Sequence, residues 1–183
     1  MIHRRDLVLA LAALPLAAVA TTPGLPVEVA AEIPGARLIG ATRLRFLGLS
    51  VYDIRLWSDS AKATTDPLST VLALELEYAR SLSGAQIAER SLQEMLGIDS
   101  IAATQADTWL ARLRKIIPDV KKGDRITGVQ RPGESTLFFI NGALKDEVRD
   151  AGFTRQFFGI WLSPRTSQPK LREALLGGKG IES

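Results

Sequence analysis

The sequence predicts an α+β fold, a large and mostly antiparallel sheet covered by a layer of helices. Three observations predict it. Strand-like runs are grouped in the first and last thirds of the chain and do not alternate singly with helices. Two stretches with helical periodicity stand between those groups. Each clear strand also has one apolar and one polar side, which implies antiparallel pairing with one covered face.

The elements follow in chain order. Residues 1–20 have the form of an export signal: a short basic start with Arg4 and Arg5, an apolar run from Leu7 to Leu16, and Ala18-Val19-Ala20 ahead of Thr21. The run contains Pro15 and is shorter than the roughly 20 residues that a membrane-spanning helix needs. Arg4-Arg5-Asp6-Leu7-Val8 also fits a loose twin-arginine pattern, so both export routes stay open. A periplasmic domain over residues 21–183 is the expectation, with no membrane span once the leader is cleaved.

Arg37–Phe46 alternates, with Leu38, Leu44 and Phe46 on one side and Arg37, Arg43 and Arg45 on the other. Ser50–Trp57 places Tyr52, Ile54 and Leu56 opposite Asp53 and Arg55. Leu72–Tyr78 places four apolar residues opposite Glu75 and Glu77, a side expected to be wet. Residues 58–70 read as a polar loop. Ser83 and Gln86 have capping-box spacing ahead of a helix that Gly97 should stop. A second helix begins near Thr104, carries an apolar stripe from Trp109 to Ile117, and ends at Pro118. Arg125–Gln130, Ser135–Ile140 and Ala143–Val148 are strands, the last two joined by Asn141-Gly142. That dipeptide is suited to a type I′ turn, which needs positive φ at both positions. Ala151–Leu162 is helical and apolar nearly all round, hence buried. Lys170–Leu176 makes a last helix before Gly177.

Composition removes whole classes of chemistry. The chain has no Cys, and its single His is His3, inside the leader. Beyond the leader there can be no His-based triad, thiol chemistry or His-ligated metal. No acidic cluster has metal-ligand spacing. The net charge is only +3, and the basic residues are dispersed, which argues against a nucleic-acid partner. The mixed charges from Lys145 to Asp150 read as a solvated hairpin.

Several runs, taken in order, resemble the chalcone isomerase-like family, and its exported bacterial branch most. These are Leu38-Ile39-Gly40-Ala41-Thr42-Arg43 with Val51-Tyr52-Asp53, Gly123-Asp124 with Phe138-Phe139-Ile140-Asn141-Gly142, Ile160-Trp161-Leu162, and Leu171 to Gly177. The resemblance covers residues 30–178. It implies the family's open-faced β-sandwich, a large antiparallel sheet covered by helices, with a pocket between the two. In the plant enzymes an Arg steers the substrate, and Thr, Tyr and Asn side chains hold its ketone. The resemblance puts that Arg at Arg43, or at Arg45 because the strand is shorter here. It puts Leu47 where the Thr stands, Ile87 where the Tyr stands and Glu94 where the Asn stands. Donors are lost at two of these positions, and a carbonyl gaining charge needs donors.

The family also contains fatty-acid-binding proteins, in which the Arg faces a carboxylate. Guanidinium is a natural carboxylate fork. The resemblance therefore implies a small apolar or carboxylate-bearing ligand, no cofactor and no metal; it names no protein partner. The candidate binding residues are Arg43, Arg45, Leu47, Tyr52, Ile87, Glu94 and Trp161. Two alternatives stand beside this: an isomerase or intramolecular lyase using Arg43, Tyr52 and Glu94, and a structural or partner-binding protein whose cleft is filled. By alternation alone Arg43 and Arg45 face solvent, where Glu75 and Glu77 could pair with them. A bulge near Gly40 or Gly48 would turn them toward the cleft. Tyr52, Glu94 and Trp161 each have a bland alternative: core, solvated helix surface and core.

Overall fold

The computed structural model describes residues 24–177; the predicted leader lies outside them. Six strands form one antiparallel sheet in sequence order: β1 (Arg37–Phe46), β2 (Leu49–Ser58), β3 (Leu72–Tyr78), β4 (Arg125–Arg131), β5 (Ser135–Ile140) and β6 (Ala143–Val148). Four helices cover one face: α2 (Gly84–Ile98), α3 (Ala103–Ile116), α4 (Ala151–Leu162) and α5 (Pro169–Leu175). This is the α+β architecture expected from the sequence, the chain order allowing each strand to pair with its predecessor.

The core lies between sheet and helices. Ile54, Leu56, Leu74 and Phe138 from the sheet meet Met95, Leu113, Phe153 and Phe158 from the helices, all essentially inaccessible to water. Each such side chain contributes roughly 1.5–3 kcal/mol by leaving water. Phe153 stacks on Phe157, and Phe157 meets Phe138, Phe158 and Trp161 edge-on. At β1 the backbone of α5 comes so close that a Cβ on Gly40 would lie 2.3 Å from the Leu175 carbonyl oxygen. Only glycine allows that contact.

The opposite face is not simply wet. A short helix, α1 (Val27–Glu32), which the sequence pattern does not predict, lies on it and buries Val29 and Ile33 against Trp57, Ala73, Val129 and Phe139. Glu75 is therefore buried, contrary to the alternation reading. Its side chain accepts hydrogen bonds there from Trp57 Nε1 (3.0 Å), Arg55 (3.2 Å) and Arg125 (3.1 Å), which offset its burial. Arg125 continues to buried Glu28 (3.2 Å), which also accepts from Thr127 (2.9 Å).

Other departures are local. Pairing shifts between Leu38 and Gly40, so Leu38 joins Trp57 on the α1 face while Leu44 faces the helices. Ser83 does not cap α2 with its side chain; Asp119 does, accepting from the Gly84 N–H at 2.8 Å. Gly97 does not stop α2, which runs one residue further to Ile98. The 145–150 charges are wired into the fold: Asp146 pairs with Arg112, and Asp150 caps α4 while accepting from Trp109 Nε1 (2.9 Å).

Candidate ligand-binding site

A cavity of about 380 Å³ opens between the helix-facing side of the sheet and helices α2 and α4. That lies within the range of small-molecule pockets, about 300–1,000 Å³. Its depth is apolar: Leu74, Leu76, Ile126, Phe138, Phe157 and Ile160. Gly128 contributes no side chain on β4, and a Cβ there would touch the Phe158 ring at 3.4 Å. The missing side chain leaves room for Phe157 and Phe158 against the sheet.

The polar groups gather toward the end of the sheet where β1 turns into β2. Tyr52 on β2 stands directly across from Tyr78 on β3. Their rings meet edge-on, 5.9 Å apart. These are the only two tyrosines in the sequence. Trp161 Nε1 donates to the Tyr52 hydroxyl oxygen at 3.0 Å. That bond uses an acceptor site and leaves the Tyr52 proton free to donate. Among the described residues neither phenol donates to a protein acceptor. Burial pushes the Tyr52 phenol up to about 12, with Trp161 opposing and Glu94 adding to the rise. Burial pushes Tyr78 further still. Both therefore remain protonated donors at neutral pH.

Charge lines the same end. Arg45, Arg80 and the Arg90–Glu94 ion pair border the cavity. Arg45 and Arg80 take part in no ion pair among the described residues. The Arg90–Glu94 pair sits at i, i+4 on α2 and balances itself.

The seven residues picked out in the sequence fall into two groups. Arg45, Tyr52, Ile87, Glu94 and Trp161 all border the cavity. Arg43 and Leu47 do not. Arg43 faces the other side of the sheet, where it makes a two-pronged ion pair with Asp53 at 2.6 and 2.8 Å. That pair holds the Asp53 carboxyl below the usual carboxylate range. Leu47 is the turn residue between β1 and β2, 86% exposed with φ of 49°. The two arginines are not cleanly separated: Arg45 lines the cavity and also the outer groove that holds Arg43, Asp53 and Arg55, and the register shift opposite it skips Val51 on β2, which leaves the alternation of β1 from Arg43 to Phe46 in place. Arg45 reaches the cavity from its place beside the turn at the end of the edge hairpin. Tyr78 and Arg80 went unnoticed in the sequence. Tyr78 had a signal, since alternation puts it on the same side as Leu72, Leu74 and Leu76.

The family model described as chalcone isomerase-like matches residues 37–177, well over half of the chain. The chain belongs to the chalcone isomerase-like family. It is 29% identical over 129 residues to an uncharacterised protein of Haemophilus influenzae, a match covering 69% of this chain and 61% of that protein. The chain thus spans about 61% of the length of that relative. Among solved structures, the crystal structure of a fatty-acid binding protein from Arabidopsis thaliana matches with a TM-score of 0.63 at 13% identity. The match covers 79% of this chain and 88% of that one. At that identity the likeness is one of fold, and it agrees with the six-stranded antiparallel sheet and helical layer described above. No helix among the described residues is long and apolar enough to cross a membrane.

Proposed function

We propose that this chalcone isomerase-like protein binds a small ligand with an apolar chain and a carboxylate, of fatty-acid type, without transforming it. The observation that carries this reading is the polarity gradient of the 380 Å³ cavity. Its depth is aliphatic and aromatic, while its polar end holds two buried phenols that donate to no protein acceptor and, at the rim, two arginines with no ion-pair partner among the described residues. A carboxylate satisfies those donors and cations together, and its chain fills the apolar depth. Arg45, in place of Arg43, is the anchor, with Arg80 beside it. The donor positions of the plant enzymes are occupied by Leu47, which is outside the cavity, and by Ile87, which cannot donate. On this reading the leader of residues 1–20 delivers the domain to the periplasm, where binding takes place.

Native mass spectrometry tests the proposal. Palmitate should form a one-to-one adduct with the unaltered chain. The Arg45→Ala/Arg80→Ala variant should weaken it about tenfold or more, the loss of charge-assisted hydrogen bonds. Arg43→Ala should bind as the unaltered chain does. Absence of a palmitate adduct, or equal weakening by Arg43→Ala, would overturn the reading. Turnover of an added chalcone would replace it with the isomerase alternative.

A further inference from the structure

The β1–β2 hairpin ends in an apolar point. Phe46 is 67% exposed, Leu47 86% and Leu49 57%. Three large apolar side chains in succession around one turn are unlike the scattered exposure of an ordinary surface. Leu47 and Gly48 have φ of 49° and 79°, the left-handed pair of a type I′ turn. Asn and Gly favour that conformation, and a bulky Leu pays to adopt it. The cost returns no packing inside this molecule, because Leu47 projects into water.

The tip also protrudes. β2 pairs with β3 from Tyr52 onward and the Val51 carbonyl still accepts from the Ala79 N–H at 2.9 Å, so residues 46–50 extend past the neighbouring strand, on the edge hairpin of the sheet. A protruding point of three side chains is too small for a stable protein interface, which buries about 800 Å² per partner. It is well shaped to enter the headgroup region of a bilayer. Charge favours the same occupant. Arg43 is neutralised by Asp53, but Arg45, next to Phe46, has no ion-pair partner among the described residues, and from Leu44 to Tyr52 the hairpin has no acidic residue. Two copies meeting tip to tip would oppose Arg45 to Arg45, whereas an anionic surface complements it.

We propose that the Phe46-Leu47-Gly48-Leu49 turn is a membrane-docking tip that inserts into the interface of an anionic phospholipid bilayer. Phe46 belongs both to the tip and to the rim of the cavity. Docking would therefore hold the cavity mouth at the lipid surface. The proposal stands on the hairpin alone and does not require the ligand reading.

Flotation with phosphatidylglycerol-containing vesicles tests it. The unaltered full chain is compared with a Phe46→Ser/Leu47→Asn/Leu49→Ser variant. Both carry the same residues 1–23, so the difference reports the tip. Asn suits the left-handed position and the other two side chains are exposed, so the variant keeps its fold; its near-ultraviolet circular dichroism verifies this. The unaltered chain should co-float, with partitioning lowered about tenfold or more in the variant and weakened by salt or by all-phosphatidylcholine vesicles. Equal flotation of the two chains would overturn the proposal, as would no flotation of either. A dimer of the unaltered chain that the variant abolishes would assign the tip to a second copy instead.

Discussion

Two hairpin turns project from the same end of the sheet and share one backbone geometry. Leu47-Gly48 has φ of 49° and 79°, and Asn141-Gly142 has 50° and 86°. Their chemistry is opposite. Asn141 Oδ1 accepts from the Arg125 N–H at 2.8 Å, and its Nδ2 donates to Asp124 at 3.2 Å. Behind it Arg125 ties the turn to Glu28 and Glu75 under α1. Leu47 has no such bonds, and Arg45 behind it has no ion-pair partner among the described residues. One turn is built into the fold; the other is left open beside the cavity. Where local geometry is equal, the difference in side chains points to different uses: stability at Asn141, recognition at Leu47.

The largest test of that contrast is a pair of arginine deletions. Arg125→Ala leaves buried Glu28 with only Thr127 and should cost about 3–5 kcal/mol in urea unfolding. Arg45→Ala should change stability by no more than about 0.5 kcal/mol, as for an exposed surface site. Comparable losses for the two would break the distinction. Exchanging the turn residues sharpens it. Asn141→Leu removes two hydrogen bonds and puts a bulky residue in the left-handed region, for an expected cost of about 2–3 kcal/mol. Leu47→Asn should be neutral or stabilising, by up to about 1 kcal/mol. A destabilising Leu47→Asn would mean that Leu47 already serves the fold.

Much of this architecture was legible. Strands β1 and β3 and helix α4 follow from period-two and all-round apolar patterns, and Asn141-Gly142 announced its turn. The α1 helix was not legible: six residues after Pro26 are too few for a periodicity, and its reason to exist is Trp57, Val129 and Phe139 on distant strands. Without α1, alternation alone puts Glu75 on a wet side; α1 covers it. The site was half legible for a related reason. Tyr52 and Trp161 sit on regular elements, so their faces could be read from alternation. Alternation puts Arg43 and Arg45 on one side of β1, and only Arg45 also borders the cavity, because it stands beside the turn at the end of the sheet, a place that alternation within one strand does not mark. Leu47 enters the candidate site through the resemblance alone, since the strand pattern already ends at Phe46, and the structure puts it in the turn.

The most direct measurement uses the chain's two tyrosines, both in the cavity, as their own reporters. Phenolate absorbance is followed through an alkaline titration, with and without palmitate. The account predicts little phenolate at pH 10, ionisation of Tyr52 delayed to about 12, Tyr78 later still, and further suppression once a carboxylate lies against the hydroxyls. Stability should follow with a definite sign. The folded phenols sit above the unfolded value near 10, so their contribution is full below pH 10 and is lost as the pH rises toward 12. Two tyrosines that ionise together near pH 10, along a curve palmitate does not move, would contradict a buried, carboxylate-binding pair.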